Sequence, residues 1–122
     1  MDIRKELEYL AKFDVHMSIL ESEILIQQRY SNLFEMAQDF CANENVKIFD
    51  ARKDMLELIK RRDRMRIKIE GLSCIKQQNA LKLHYFCDMY IDDVAEKMML
   101  SKSRINQLID AGIANITKSG LR

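Results

Sequence analysis

Residues 2–41 contain neither glycine nor proline, and this uninterrupted stretch constrains the fold more than any other feature of the chain. Its apolar side chains recur at steps of three and four, at Ile3, Leu7, Leu10, Phe13, Met17, Leu20 and Ile24, and then, after a step of six, at Tyr30, Phe34 and Ala37. Steps of that size place the side chains on one face of a helix. A straight helix of this length would span about 60 Å, which is long for a compact bundle. The sequence therefore predicts a bend or break near Gln27-Gln28.

A second helix is predicted from about Val46 to Glu70, after an interruption at residues 42–45. The short connection favours an antiparallel helical hairpin, coiled-coil-like, over residues 1–71. A two-helix hairpin buries little core, so we expect a homodimer through the N-terminal helices. Gly71 is expected to stop the second helix and Ser73 to cap the next one. A second domain would then occupy residues 72–122.

The composition supports an all-α fold and disfavours several other classes. Apolar residues make up 48% of the chain, which is too many for intrinsic disorder. Three glycines and no proline are too few for the many tight turns of a β-sandwich or barrel. Formal charge is +1, with −1 on residues 1–71 (13 basic, 14 acidic) and +2 on residues 72–122 (7 basic, 5 acidic). Charge alone does not identify a partner.

The remaining composition signals point to a reduced, cytoplasmic protein without a cofactor. Cys41, Cys74 and Cys87 are odd in number and form no C-x-x-C motif, which is typical of free thiols. No apolar run reaches the roughly 18 residues of a membrane span, and the charged N-terminus does not resemble a signal peptide. Cys74, His84 and Cys87 lack a compact ligand motif, so no metal is expected. Neither a phosphate loop nor a catalytic triad motif is recognisable, and we expect no enzymatic activity.

Residues 91–112 carry the most specific pattern, two short helices joined by a turn. The inward positions would be Val94 and Met98 on the first helix and Ile105 and Leu108 on the second. Ala95 is small enough for the helices to approach closely, and Leu100 would fill the turn. Ser101 would cap the second helix by accepting a backbone N–H bond. This pattern predicts a helix-turn-helix.

The region from Ala80 to Ile116 also resembles the C-terminal, promoter-binding region (region 4) of bacterial sigma factors. The resemblance lies in the runs Leu-Lys-Leu-His-Tyr-Phe (81–86), Ile-Asp-Asp-Val-Ala-Glu-Lys-Met (91–98) and Ser-Lys-Ser-Arg-Ile-Asn-Gln-Leu (101–108). The overall layout is similar to small phage transcription regulators of the ArpU and RinA type. The resemblance implies a DNA-binding regulator from a phage or mobile element, with RNA polymerase as a second partner.

A recognition helix places its N-terminal residues at base edges in the major groove of double-stranded DNA. The predicted DNA-binding residues are Ser101, Lys102, Ser103, Arg104, Asn106 and Gln107. Arg104 suits guanine, and Asn106 or Gln107 suits adenine. Lys102 and Ser103 suit phosphate.

Three residues depart from the sigma pattern. Met99 stands where a glycine is common, Tyr90 stands where a Ser or Thr cap is common, and Asp110 would repel phosphate.

An alternative function stays open beside the sequence-specific regulator. The chain would then be a protein-interaction module that binds RNA polymerase or a sigma partner and has little DNA affinity of its own. The basic run at residues 60–68 also admits two interpretations, a second nucleic-acid surface or a solvated face paired with acidic residues of the first helix. The second is preferred, because nine residues wrap the helix more than twice.

Overall fold

The computed structural model describes residues 2–43 and 50–120, and within these ranges the secondary structure is helical with no β-strand. The all-α prediction is confirmed. The helices are α1 (Ile3–Leu10), α2 (Phe13–Arg29), α3 (Ser31–Asn43), α4 (Ala51–Glu70), α5 (Ile75–Leu81), α6 (Ile91–Met98) and α7 (Lys102–Gly120). A π-helical segment, Lys82–Phe86, continues α5. The predicted connection at residues 44–45 and the predicted helix start at Val46 lie outside the described residues.

The first long helical stretch breaks at two places, of which one was predicted. A break falls at Tyr30, two residues beyond Gln28, so the prediction of a break near Gln27-Gln28 is confirmed; the other break, at Ala11 and Lys12 after α1, was not predicted. Neither break contains glycine or proline, and therefore no local breaker marks it. Asp2 does mark the start of α1, where its carboxylate accepts a bond from the Lys5 backbone N–H at 3.2 Å.

The chain divides into two compact units, each described by itself. One comprises Met1–Phe13 with Arg61–Arg122, and the other comprises Asp14–Lys60. The predicted domains, 1–71 and 72–122, stay a prediction; the compact units are drawn at different residues. Helix α1 belongs to the first unit because it contacts α7 and the π-helical segment.

The core of the first unit is built from every helix in it. Helix α5 packs on α7, and α6 packs on α7 beside it. The buried apolar side chains are Ile3, Leu7, Leu10, Met65, Ile69, Leu72, Ala80, Leu81, Tyr85, Val94, Ala95, Ile105, Leu108, Ile109 and Ile116. These positions include the first three members of the predicted N-terminal stripe. Burial raises the pKa of the Tyr85 hydroxyl.

The basic run of α4 is partly used to hold α1 in place. Arg61 donates two bonds to the Glu6 carboxylate, at 2.9 and 2.8 Å, and its guanidinium lies over the Tyr9 ring at 4.3 Å. This pairing lowers the pKa of Glu6. Arg62 lies over the rings of Phe13 and Phe86 at 4.9 and 4.8 Å. Pairing with an acidic residue of the first helix was predicted; the cation–π contacts were not.

Helix α4 ends at Glu70, so the predicted stop at Gly71 is confirmed. The predicted cap at Ser73 was wrong, because Cys74 occupies the N-cap position of α5 and makes no side-chain cap bond. Two short helices were predicted after Asp88, and this prediction is right for the first helix and wrong for the second. Helix α6 has 8 residues, whereas α7 has 19 and continues through Gly112.

Candidate nucleic-acid interface

The turn between α6 and α7 has a well-defined backbone. Met99 adopts the left-handed conformation, with φ 58° and ψ 42°, at the position where a glycine is common. The N–H of Leu100 bonds the Ala95 carbonyl at 3.0 Å, and the N–H of Met99 bonds the Glu96 carbonyl at 3.2 Å. These two bonds form a Schellman motif, which closes α6 and fixes where the chain leaves it.

Helix α7 begins as the sequence predicts. The Ser101 hydroxyl accepts a bond from the Arg104 backbone N–H at 3.1 Å, so the predicted N-cap is confirmed. The predicted inward residues Ile105 and Leu108 are buried, as is Ile109. These contacts fix which side of α7 faces the core, and the opposite side of its first two turns is left in solvent.

All six predicted DNA-binding residues lie on that solvent side. Each of them is exposed: Ser101, Lys102, Ser103, Arg104, Asn106 and Gln107. They are brought together within the first two turns of one helix, and Ser101 is already engaged as its cap. The arrangement offers a cationic and amide-bearing surface, with charged and uncharged donors at the positive end of the helix dipole.

Two of these side chains have partners within the chain. Lys102 Nζ lies 2.9 Å from Asp92 Oδ1, in a pair that is exposed on both sides. An Arg104 Nη1 bond to Gln107 Oε1 is long, at 3.4 Å. Exposed pairs of this kind contribute little to stability, about 0–1 kcal/mol, so both cationic groups can exchange partners easily.

Asp110 follows on the exposed side of α7, where the sequence suggested repulsion of phosphate. Its Oδ1 accepts a bond from Arg4 Nη2 at 2.6 Å. The bond raises the pKa of Arg4, which stays fully charged. The negative charge of Asp110 is thus paired with a cation from α1. Tyr90, the other unusual position, is at the N-cap of α6 and makes no side-chain cap bond.

A groove beside the turn contains Lys82, which the sequence suggested as a weaker candidate for contact with the DNA backbone, and adds Lys76 and Lys97, which the sequence did not single out. It has a volume of about 570 Å³ and is lined by Lys76, Asn79, Lys82, Leu83, Lys97, Met98 and Leu100. Lys82 pairs with Glu70 at 3.0 Å. Lys97 and Leu100 lie within five residues of the start of α7, and this closeness in sequence was the signal that could have placed them at the site. Lys76 joins them only through the packing of α5, which the sequence did not reveal.

Neither a metal-ion site nor a membrane-spanning helix is found in the part of the chain that the structure describes. Among them, no three or more His, Cys, Asp and Glu side chains are grouped so as to hold a metal ion. No helix of the described segments combines the length and the apolar character that crossing a membrane requires.

One comparison with known proteins gave a match. A family model described as "protein of unknown function (DUF1492)" matches residues 35–116, which is 82 of 122 residues. The match contains α4, α5, α6 and the part of α7 that carries the candidate site, whereas α1 and α2 lie before it. Neither the curated proteins nor the solved structures gave a match.

Proposed function

We propose that this chain, which belongs to the family described as "protein of unknown function (DUF1492)", is a sequence-specific DNA-binding transcription regulator that uses α6, the Met99 turn and α7 as a helix-turn-helix. One observation carries the proposal. The first two turns of α7 hold Lys102, Arg104, Asn106 and Gln107 exposed on one side, while Ile105 and Leu108 fix the other side in the core.

The chemistry of these side chains suits a major groove. A guanidinium can donate two parallel bonds to guanine, and an amide can both donate to and accept from adenine. In this proposal Arg104 reads guanine, and Asn106 or Gln107 reads adenine. Lys102, Ser103 and the free N–H groups at the start of α7 bind phosphate.

Two further features support the same proposal. Arg4 pairs with Asp110 and thereby offsets a negative charge on the side of α7 that is proposed to face DNA. The chain as a whole has a net charge of only +1, so attraction to DNA requires a local concentration of positive charge. The lysines of the groove beside the turn supply such charge for backbone phosphates. The proposed regulator works in the cytoplasm, belongs to a phage or mobile element, is not an enzyme and needs no cofactor.

The test is selection from random-sequence duplex DNA by the purified full chain at two salt concentrations. Recovery of a defined motif supports the proposal. The variant Lys102→Glu/Arg104→Glu should lose the motif, while Arg52→Glu/Lys53→Glu, an equal charge change at exposed residues of α4, should keep it. Salt-sensitive binding without a motif would reduce the surface to an accessory DNA contact, contrary to the proposal.

A second candidate is a module that binds RNA polymerase or a sigma partner. The exposed side chains at the two ends of α6 favour it, since Tyr90 is 81% and Met99 is 90% exposed. Tyrosine and methionine are enriched at protein interfaces. Stable co-purification with polymerase, combined with no DNA binding at either salt concentration, would select this candidate and reject the first.

A further inference from the structure

Helix α2 is apolar on two opposite sides, and none of the described residues covers one of those sides. Met17, Leu20 and Ile24 lie on one side and are half-buried. The other side is exposed throughout, and it carries Val15, Ser18, Ile19, Ser22, Leu25 and Ile26. An apolar side of a helix is normally covered by other residues.

The compact unit that contains α2 has little core of its own. Among the residues of Asp14–Lys60 whose side chains the structure describes, Ala51 and Leu58 alone are buried. Val15, Ile19 and Ile26 are 57%, 52% and 51% exposed, and Leu25 is 66% exposed. So much apolar surface along one helix is typical of an interface.

From this pattern we infer that the exposed side of α2, here called the α2 face, binds the same face of a second copy of the chain in antiparallel orientation. The residues of this face are spaced symmetrically about Ser22. Ile19 and Leu25 stand three residues to either side, and Ser18 and Ile26 stand four residues to either side. In an antiparallel pair each residue faces its counterpart, because a twofold axis passes through Ser22.

Side-chain sizes match across that axis. Ser18 would face Ile26 of the second copy, so that a small side chain meets a large one. The surface at this place is a shallow, open depression along α2, lined by Asp14, Val15, Ser18, Ile19 and Ser22. The Ile26 side chain of a second copy would lie against it.

The charges at the two ends of α2 and the hydrogen bond of Ser22 fit the same occupant. Asp14 lies in the first turn of α2 and Arg29 in the last, so antiparallel pairing brings opposite charges together at both ends. The helix dipoles are then also opposed. Ser22 donates its hydroxyl proton to the Ser18 carbonyl at 3.0 Å, so the central residue can be covered without losing a hydrogen-bond partner.

The α2 face is one helix wide and smaller than the roughly 800 Å² per partner of a standard interface. We therefore expect a reversible dimer with a dissociation constant on the order of 1–100 µM. This inference does not rest on the proposed function, since no DNA takes part in it.

The first experiment is sedimentation equilibrium of the full chain over a range of concentrations. The wild-type protein should be a dimer that dissociates on dilution. Ile26→Glu should raise the dissociation constant at least about tenfold, because it places a charge in the apolar contact. Ile67→Glu, an equal change at an exposed residue of α4, should leave it unaltered. A protein that is monomeric at every concentration would overturn the inference and would leave the α2 face to a different protein. An Ile26→Glu variant that dimerises with wild-type affinity would also overturn it.

The second experiment tests the orientation by disulfide formation, in a background with the three native cysteines replaced by serine. Ser22→Cys should crosslink the dimer, because the two copies meet at this residue. Val15→Cys should crosslink only when it is mixed with Arg29→Cys, since about 21 Å of helix separates residues 15 and 29. Crosslinking of Val15→Cys with itself would indicate a parallel pair and overturn the antiparallel assignment.

Discussion

Arg4 Nη2 lies 2.6 Å from Asp110 Oδ1, which links a residue near the start of the chain to the exposed side of α7. The bond joins residues 106 positions apart, and no sequence pattern indicates it. In the proposed complex with DNA, it pairs an acidic residue that would otherwise lie unpaired beside the phosphates. The effect of each residue on DNA binding should therefore depend on the other.

Arg4→Gln should weaken DNA binding by about two- to fivefold, because it leaves the Asp110 charge unpaired at the interface. The double variant Arg4→Gln/Asp110→Asn has the net charge of the wild type and should recover most of the loss. Fluorescence anisotropy with a selected duplex measures all three proteins. A double variant as weak as the single one would show that Arg4 acts without Asp110.

Arg104→Ala should lower affinity for the selected motif by about 1–3 kcal/mol and relax the preference at one base position. Its side chain is proposed to read guanine, so unselected duplexes should bind the variant nearly as before. Repeating the selection with the variant measures both effects. Arg52→Ala, which removes an exposed arginine from α4, is the control. Unchanged affinity together with an unchanged motif would remove Arg104 from the site.

Met99→Gly should stabilise the protein by about 1 kcal/mol, because a left-handed backbone is costly for a residue with a Cβ atom. The Met99 side chain is 90% exposed, so little packing is lost. Urea denaturation measures the free energy of unfolding. Met99→Ala keeps the Cβ atom and should give no such gain; equal stabilisation by both variants would argue against backbone strain.

Gly112→Ala should destabilise the protein by about 1–3 kcal/mol, although alanine is the better helix former. A Cβ atom at residue 112 would lie 2.8 Å from Cδ1 of Leu81, and Leu81 is fully buried, so its side chain would have to shift within the core. Gly71→Ala is the control, since its Cβ atom would meet nothing closer than 3.4 Å. Thermal unfolding followed by circular dichroism distinguishes them, and a stabilised Gly112→Ala would show that the Leu81 side chain shifts at little cost.

Glu6→Gln should lower the free energy of unfolding by about 1 kcal/mol at neutral pH, because the Arg61 guanidinium loses its negatively charged partner. The pKa of Glu6 is lower in the folded protein than its ordinary value of 4.5. Its contribution to stability is therefore present above pH 4.5 and is lost as pH falls through the lowered value. The difference between wild type and variant should shrink in acid. A difference independent of pH would assign the loss to packing.

Local patterns account for much of the fold and for the shape of the candidate site. Spacing of apolar residues identified the helices and the buried Ile105 and Leu108, and serine chemistry identified the cap at Ser101. Each of these depends on residues within two helical turns of one another. The function proposed for the exposed side of α7 stays a prediction.

Long-range packing accounts for what the sequence did not reveal. Ala11 and Lys12 are ordinary helix residues, and the break there accompanies the burial of α1 side chains in the first unit. Gly112 is the last residue of the predicted helix-turn-helix, at a place where a glycine commonly ends a helix. It nevertheless lies inside α7, where α5 comes close. Arg62 belongs to a basic run, but its position over Phe13 and Phe86 depends on three separate segments.

The pair between Lys102 and Asp92 has a consequence for how the ionic atmosphere of DNA would respond to this surface. A lysine without a partner that binds phosphate displaces one condensed counterion from the duplex, whereas Lys102 must also release a carboxylate, which takes up a cation from solution. The uptake of this cation cancels part of the entropy that is gained when counterions leave the DNA. The logarithmic dependence of affinity on salt should be shallower than the number of basic residues at the interface implies.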